Sequence, residues 1–345
     1  MPDRPVAWPQ VLVLAVAVAV LGGRVGGDVG AQVPAGADVE AALRAAHAKY
    51  QGLTEGKNAD YIPALARVPS NLFGIALVTV DGQVHVVGDA EQRFSIQSIS
   101  KVFTLAEVLQ ESGERQIEDT VGVDATGQVF NSIVAIEQYK GHEINAFVNP
   151  GAIATTSMLK GGDADAIWAR IIGIHGEFAG RPLDVNQEVY RSESDTNQRN
   201  QAIAMLMHAY GLIKENPARA TDIYTRQCSI DVSAKDLATM AATLANGGKN
   251  PVTKKQVIAP EHVHGVLAVM ATAGLYDDSG KWLFHTGLPA KSGVGGGIIA
   301  VSPGKFGIAA FSPPLDAAGN SLRAQKAIAD VSNALGGNPY EVKPR

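Results

Sequence analysis

The sequence predicts an α+β fold: one antiparallel sheet flanked by helices from both chain ends, with an all-helical region inserted between its strands. Three observations carry this. Residues 73–79 and 83–87 are β-rich runs on either side of Asp81-Gly82, a dipeptide suited to a tight hairpin turn. Residues 297–301 and 306–311 repeat the pattern around Ser302-Pro303-Gly304-Lys305. Between about 114 and 248, strand-like runs nearly vanish and capped helical patterns follow one another. The sheet part is thus expected at about 39–113 and 249–345, and the helical part at about 114–248.

In chain order, the first feature is an unbroken apolar run, Val11 to Leu21, preceded by Arg4 and too short to span a bilayer as a helix. Gly22, Gly23 and a polar stretch follow, and Val29 and Ala31 supply small residues at the −3 and −1 positions of a cleavage site. Residues 1–31 therefore read as a secretory signal peptide, cut near Ala31, and the expected location is periplasmic or secreted. An uncleaved N-terminal membrane anchor is the alternative. Asp38 is the expected N-cap of a helix over 39–50. After the first hairpin, Ile99, Val102, Phe103, Ala106 and Leu109 recur at helical spacing, and Gly113 closes that helix. Further helices are expected at 164–174, 195–210, 217–227 and 234–246. Strands at 281–285 and 288–292 then precede the second hairpin, and a last helix spans 321–335.

The 345 residues are 46% apolar and 18% charged, enough to bury a sizeable core. The net charge of −5, without a basic run, argues against nucleic acid as a partner. No Cys/His spacing suggests a metal site, and no cofactor is implied. Cys228 is the only cysteine, so no internal disulfide can form. It reads as a small buried hydrophobe rather than a nucleophile.

The chemistry centres on Ser98 and Lys101. Three residues apart on a helix, they share a face, so hydroxyl and amine can meet. Ser98 falls at the first turn, where free N–H groups favour developing negative charge. A partly desolvated lysine can take the proton that makes a serine nucleophilic. Alone, the pair is a weak signal and fits better an amphipathic helix with a solvated lysine. Four further stretches decide between the two: Asn149-Pro150-Gly151-Ala152-Ile153, Ser192-Glu193 before Asp195 to Asn200, Tyr224-Thr225-Arg226-Gln227-Cys228-Ser229, and Lys291-Ser292-Gly293-Val294-Gly295-Gly296-Gly297.

With the Ser98 stretch, these closely resemble the serine-dependent glutaminase family, a branch of the β-lactamase/transpeptidase-like fold, in the family's order and from about Val39 to Leu335. The resemblance implies hydrolysis of L-glutamine to L-glutamate and ammonia through a γ-glutamyl-serine intermediate, without metal or organic cofactor. It makes Ser98 the nucleophile and Lys101 its base. Tyr224 relays protons, and Lys291 faces the serine from the edge strand, where its charge is expected to keep Lys101 neutral. Asn149, Glu193, Asn200, Tyr224, Tyr276 and Val294 match substrate-contacting positions, with the Ser98 and Val294 N–H groups as oxyanion donors. Glu193 suits the substrate ammonium; Asn149, Asn200 and Tyr276 suit its carboxylate. Family members form dimers and tetramers, so a homo-oligomer is expected. The competing reading is a penicillin-recognising serine hydrolase, β-lactamase or D,D-peptidase, which export favours and the lack of a Ser-Asp-Asn motif disfavours. A non-catalytic binding protein on this fold needs none of Ser98, Lys101 and Lys291.

Overall fold

A computed structural model describes residues 32–142 and 144–341; the expected leader, residues 1–31, lies outside them. The main sheet has five antiparallel strands: β1 (Gly74–Thr79), β2 (Val84–Gly88), β3 (Ala290–Gly293), β4 (Gly297–Ser302) and β5 (Phe306–Phe311). Their spatial order is β2-β1-β5-β4-β3. Both expected hairpins form, and the register pairs Val78 with Val84, Leu77 with Ile308 and Ile299 with Ala309. The β1–β5 pairing joins the two distant ends of the sequence.

Side-chain alternation divides the core in two. Ile75, Leu77, Ile298, Ala300, Ile308 and Ala310 face helix α1 (Gly36–Tyr50) and the last helix, Leu322–Ala334. Ala76, Val78, Ile299, Val301, Ala309 and Phe311 face the opposite way, into the larger cluster shared with the helices of the central sequence. Being covered on both faces explains why β1, β4 and β5 are buried at every position and lack polar alternation.

The helix at Ala234–Ala245 was expected in the helical part but belongs against the sheet. Its Leu237, Ala238, Ala241, Ala242 and Ala245 join the second face. Small residues allow that approach: a Cβ on Gly307 of β5 would lie 2.1 Å from the Ala242 nitrogen. Ser233 and Asp236 close a capping box at its start.

Three expectations are corrected. Residues 281–285 lie in a helix, Ser279–Thr286, rather than a strand. The aromatic, β-favouring string Lys-Trp-Leu-Phe-His hides its true period: Trp282 and Thr286, one turn apart, are buried while Phe284 is 85% exposed. Gly287 at φ 65 ends it. The following strand is correspondingly displaced to 290–293. Asp38 is not the cap of α1, which starts at Gly36; it sits in the first turn, where its charge complements the helix dipole.

A second sheet of three short strands, in the order Phe94–Ser95, Ile230–Val232, Asp184–Val185, ties the central helices to the segment that enters the Ser98 turn. Among the described residues, no helix is long and apolar enough to cross a membrane.

Candidate active site

Ser98 stands in a 3₁₀ turn, Gln97–Ile99, that runs directly into helix α2 (Ser100–Ser112). Phe94–Ser95 pairs with Ile230–Val232, and the Ile96 N–H donates to the Ile230 carbonyl at 2.8 Å, so the chain enters the turn from a fixed strand. Gln97 then takes φ 51, the left-handed region that non-glycine residues rarely occupy. This reversal delivers Ser98, 8% exposed, to the start of α2.

Lys101 is buried one turn later. Its Nζ donates to the Phe147 carbonyl at 2.9 Å and to Asn149 Oδ1 at 2.8 Å. Burial lowers its pKa to about 7, against the opposing pull of Cys228 and Glu193. A neutral amine has two N–H groups and one lone pair. The two acceptors satisfy both N–H groups and leave the lone pair to receive a proton.

Lys291 lies on β3, the edge strand of the sheet. Its Nζ donates to the carbonyls of Gly274 (2.9 Å) and Ser292 (2.8 Å) and lies 4.2 Å from the centre of the Tyr276 ring. Among the described residues it makes no hydrogen bond to Ser98. Burial first, and then the charge of Lys101, hold its pKa well below the usual value. Burial is the leading cause at both lysines, and because like charges disfavour each other mutually, a proton on either one makes protonation of the other harder.

Four helices bring in the remaining groups: α3 (Asn149–Ser157), α4 (Gln187–Ser194), α5 (Gln198–Ala209) and α6 (Pro217–Cys228). Asn149 opens α3 with Pro150 in the first turn, where a missing N–H costs nothing. Its Oδ1 accepts from Lys101 and, at 3.3 Å, from the Tyr224 hydroxyl of α6; its Nδ2 donates to Asn200 Oδ1 of α5 at 2.9 Å. Asn149 thus links Lys101, Tyr224 and Asn200. Burial raises the Tyr224 phenol far above its ordinary pKa, so the hydroxyl keeps its proton.

Glu193, at the end of α4, is buried and accepts from Gln97 Nε2 at 3.1 Å. Burial pushes its pKa up to about 7, while Gln97 and the Lys101 charge oppose the rise. Tyr276 takes φ 57 in a second 3₁₀ turn; burial raises its phenol to about 12. Its neighbours there are the Ser98 and Ser292 hydroxyls, yet the Tyr276 and Ser292 hydroxyls have no hydrogen-bond partner among the described residues. Val294 is in the turn joining β3 to β4. A Cβ on Gly293 would lie 2.8 Å from the Ile96 carbonyl oxygen, and one on Gly295 would lie 2.5 Å from that of Ser95. Only glycines let this turn press against the strand leading to Ser98.

Two groups escaped the sequence reading. Gln97 bonds Glu193 and, at 3.2 Å, Ser95 Oγ. Adjacency to Ser98 was its only signal, because its left-handed backbone leaves no mark in composition. Tyr61 stands with Phe130 and Val294 around a cavity of about 570 Å³ beside the site. The residue is half exposed, yet burial and the charges of Tyr276 and Glu193 raise its phenol. Cys228 is buried near Tyr224 and Ser100; burial raises its thiol pKa, as befits a packing residue.

A sheet faced by helices, with a buried serine, a lysine near neutrality and a buried carboxylate converging at its edge strand, defines an amidohydrolase of the β-lactamase-like fold. The glutaminase family model matches residues 56–340, and the chain belongs to the glutaminase family. A glutaminase from Colwellia psychrerythraea is 52% identical over 302 residues, 88% of this chain and 97% of the relative. A solved structure described as probable glutaminase ybaS superposes with a TM-score of 0.88 at 46% identity, covering 89% of this chain and all of that one. A protein called Mglu, solved in its glutamate form, aligns at 35% identity with a TM-score of 0.82, covering 87% of this chain and 69% of the other.

Proposed function

We propose that this glutaminase works through a covalent γ-glutamyl ester on Ser98. The observation that carries the reading is Lys101: buried three residues after Ser98, with two acceptors for its two N–H groups, it has a lone pair left to accept a proton. As Ser98 Oγ attacks the side-chain carbonyl carbon of glutamine, its proton passes to Lys101 Nζ. The Ser98 and Val294 N–H groups steady the oxyanion. Collapse breaks the C–N bond, and ammonia leaves with the proton returned by Lys101 through the Tyr224 hydroxyl. Water, deprotonated by the same amine, then cleaves the ester, releasing glutamate and restoring Ser98.

Glu193 receives the substrate ammonium at the far end of the pocket, while Asn149, Asn200 and Tyr276 face its α-carboxylate. The glutamate form reported for Mglu supports an amino-acid pocket of this kind. Lys291 supports the Tyr276 ring from below. The same reading includes export after cleavage near Ala31 and a homo-oligomer, dimer or tetramer, whose mass sedimentation would measure.

The test is a glutamine analogue bearing an electrophile at the δ position. One adduct per chain, mapped to Ser98, is the expected result, and Ser98→Ala should lose nearly all ammonia release. An adduct on Cys228 instead would refute the serine mechanism.

A further inference from the structure

Gln97 must be held in its left-handed conformation if Ser98 is to keep its place, and the restraint is visible beneath the turn. The Ser100 hydroxyl, fully buried, donates to the Gln97 carbonyl at 2.7 Å. Gln227 Nε2 donates in turn to Ser100 Oγ at 3.1 Å. The other end of the same amide, Oε1, accepts from Thr104 of α2 at 2.7 Å and lies 3.4 Å from the Thr156 hydroxyl of α3, which makes its shorter bond, 2.9 Å, to the Ala152 carbonyl. Gln227 itself lies on α6, three residues after Tyr224. One buried side chain therefore joins the helices carrying Ser98 and Lys101, Asn149, and Tyr224.

We propose that Gln227 and Ser100 form a latch that positions the nucleophile: Gln227 fixes the Ser100 hydroxyl, and that hydroxyl pins the strained Gln97 peptide. Neither residue touches substrate. The molecule uses the device twice. Tyr276, the other left-handed residue at the site, has its carbonyl held at 2.7 Å by Ser279 Oγ, again three residues later and buried. Among the described residues, the two remaining non-glycine residues with positive φ, Lys140 and Lys254, are exposed. The inference rests on Ser98 being the nucleophile, so the experiment separates the two claims.

In wild type, a small serine-directed electrophile without an α-ammonium should label Ser98; failure to label there removes the nucleophile assignment itself. In Ser100→Ala and Gln227→Met, labelling should slow by about tenfold to a hundredfold, the cost of a small misplacement of a reacting group. The kcat for glutamine should fall by the same factor and by more than KM changes, because no group placed against the ammonium or the carboxylate is itself removed. The double variant should be no slower than the slower single, since both act through one hydrogen bond. Gln227→Glu supplies a second readout if the methionine variant does not fold. Ionised, its carboxylate can only accept, and so draws the Ser100 hydroxyl off Gln97; protonated, it donates to Ser100 as the amide does. Its activity relative to wild type should therefore recover as pH falls. Folded variants with wild-type kcat, multiplying effects in the double variant, or a Gln227→Glu ratio independent of pH would each overturn the latch.

Discussion

Lys101 and Glu193 show how burial makes ordinary residues reactive at neutral pH. Both have pKa values brought to about 7 by desolvation, from opposite sides, and each opposes the other's shift. In the mechanism proposed above, the base must be neutral and the carboxylate ionised, so both requirements fail as pH drops. kcat/KM for glutamine should accordingly fall below about pH 7, as a limb belonging to the pair rather than to either residue. Glu193→Gln removes one of the two groups: KM should rise and lose its dependence on pH, while kcat keeps the limb due to Lys101. An unchanged KM profile in that variant would mean that Glu193 does not bind the ammonium. Stability moves differently. Between about 7 and the ordinary lysine value of 10.5, the unfolded chain holds a proton at Lys101 that the folded chain lacks, so this residue makes stability rise with pH. Below that window Glu193 acts oppositely, holding a proton when folded between 4.5 and about 7 that is lost on unfolding.

The elements around Ser98 were legible in the sequence where the signal was local. The Asp81-Gly82 hairpin and the spacing of Ile99 to Leu109 each depend on residues close in sequence, and each formed. What stayed hidden depends on distant neighbours. The helix at Ala234–Ala245 has the pattern of any amphipathic helix, and nothing in it announces that Gly307 will accept it against the sheet. Likewise the sequence around Gly293 and Gly295 does not name what they approach, whereas the structure needs them so that the β3–β4 turn can pack on the backbone of 95–96. That contact sets where the Val294 N–H sits. Gly295→Ala should push the turn outward, because the added Cβ would meet the rigid Ser95 carbonyl at 2.5 Å. Loss of one oxyanion donor costs on the order of a hundredfold in kcat, and a loss of that size is expected with the melting temperature little changed. Wild-type turnover in Gly295→Ala would remove the turn from the catalytic machinery.

At the scale of the whole molecule, the proposed export requires the chain to keep its fold once residues 1–31 are cut away. Helix α1 begins at Gly36, five residues beyond the expected cut after Ala31. Val39, Leu43 and Ala46 of α1 seal the sheet face made by Ile75, Leu77 and Ile308. Burying one such valine or leucine contributes about 1.5–3 kcal/mol. Removing α1 would therefore forfeit several kcal/mol and bare the face opposite the site, against a total stability of roughly 5–15 kcal/mol for a folded domain. Two truncations separate leader from fold. Starting the chain at Gln32 should leave the melting temperature and ammonia release at full-length values. Starting it at Gln51 should lower the melting temperature sharply or prevent folding, although no residue of the candidate site has been removed. Protein recovered from its native host should begin near Gln32 and lie outside the cytoplasm. An intact Met1 in the soluble cytoplasmic fraction would rule out export, and loss of folding on removal of residues 1–31 would make the leader part of the structure.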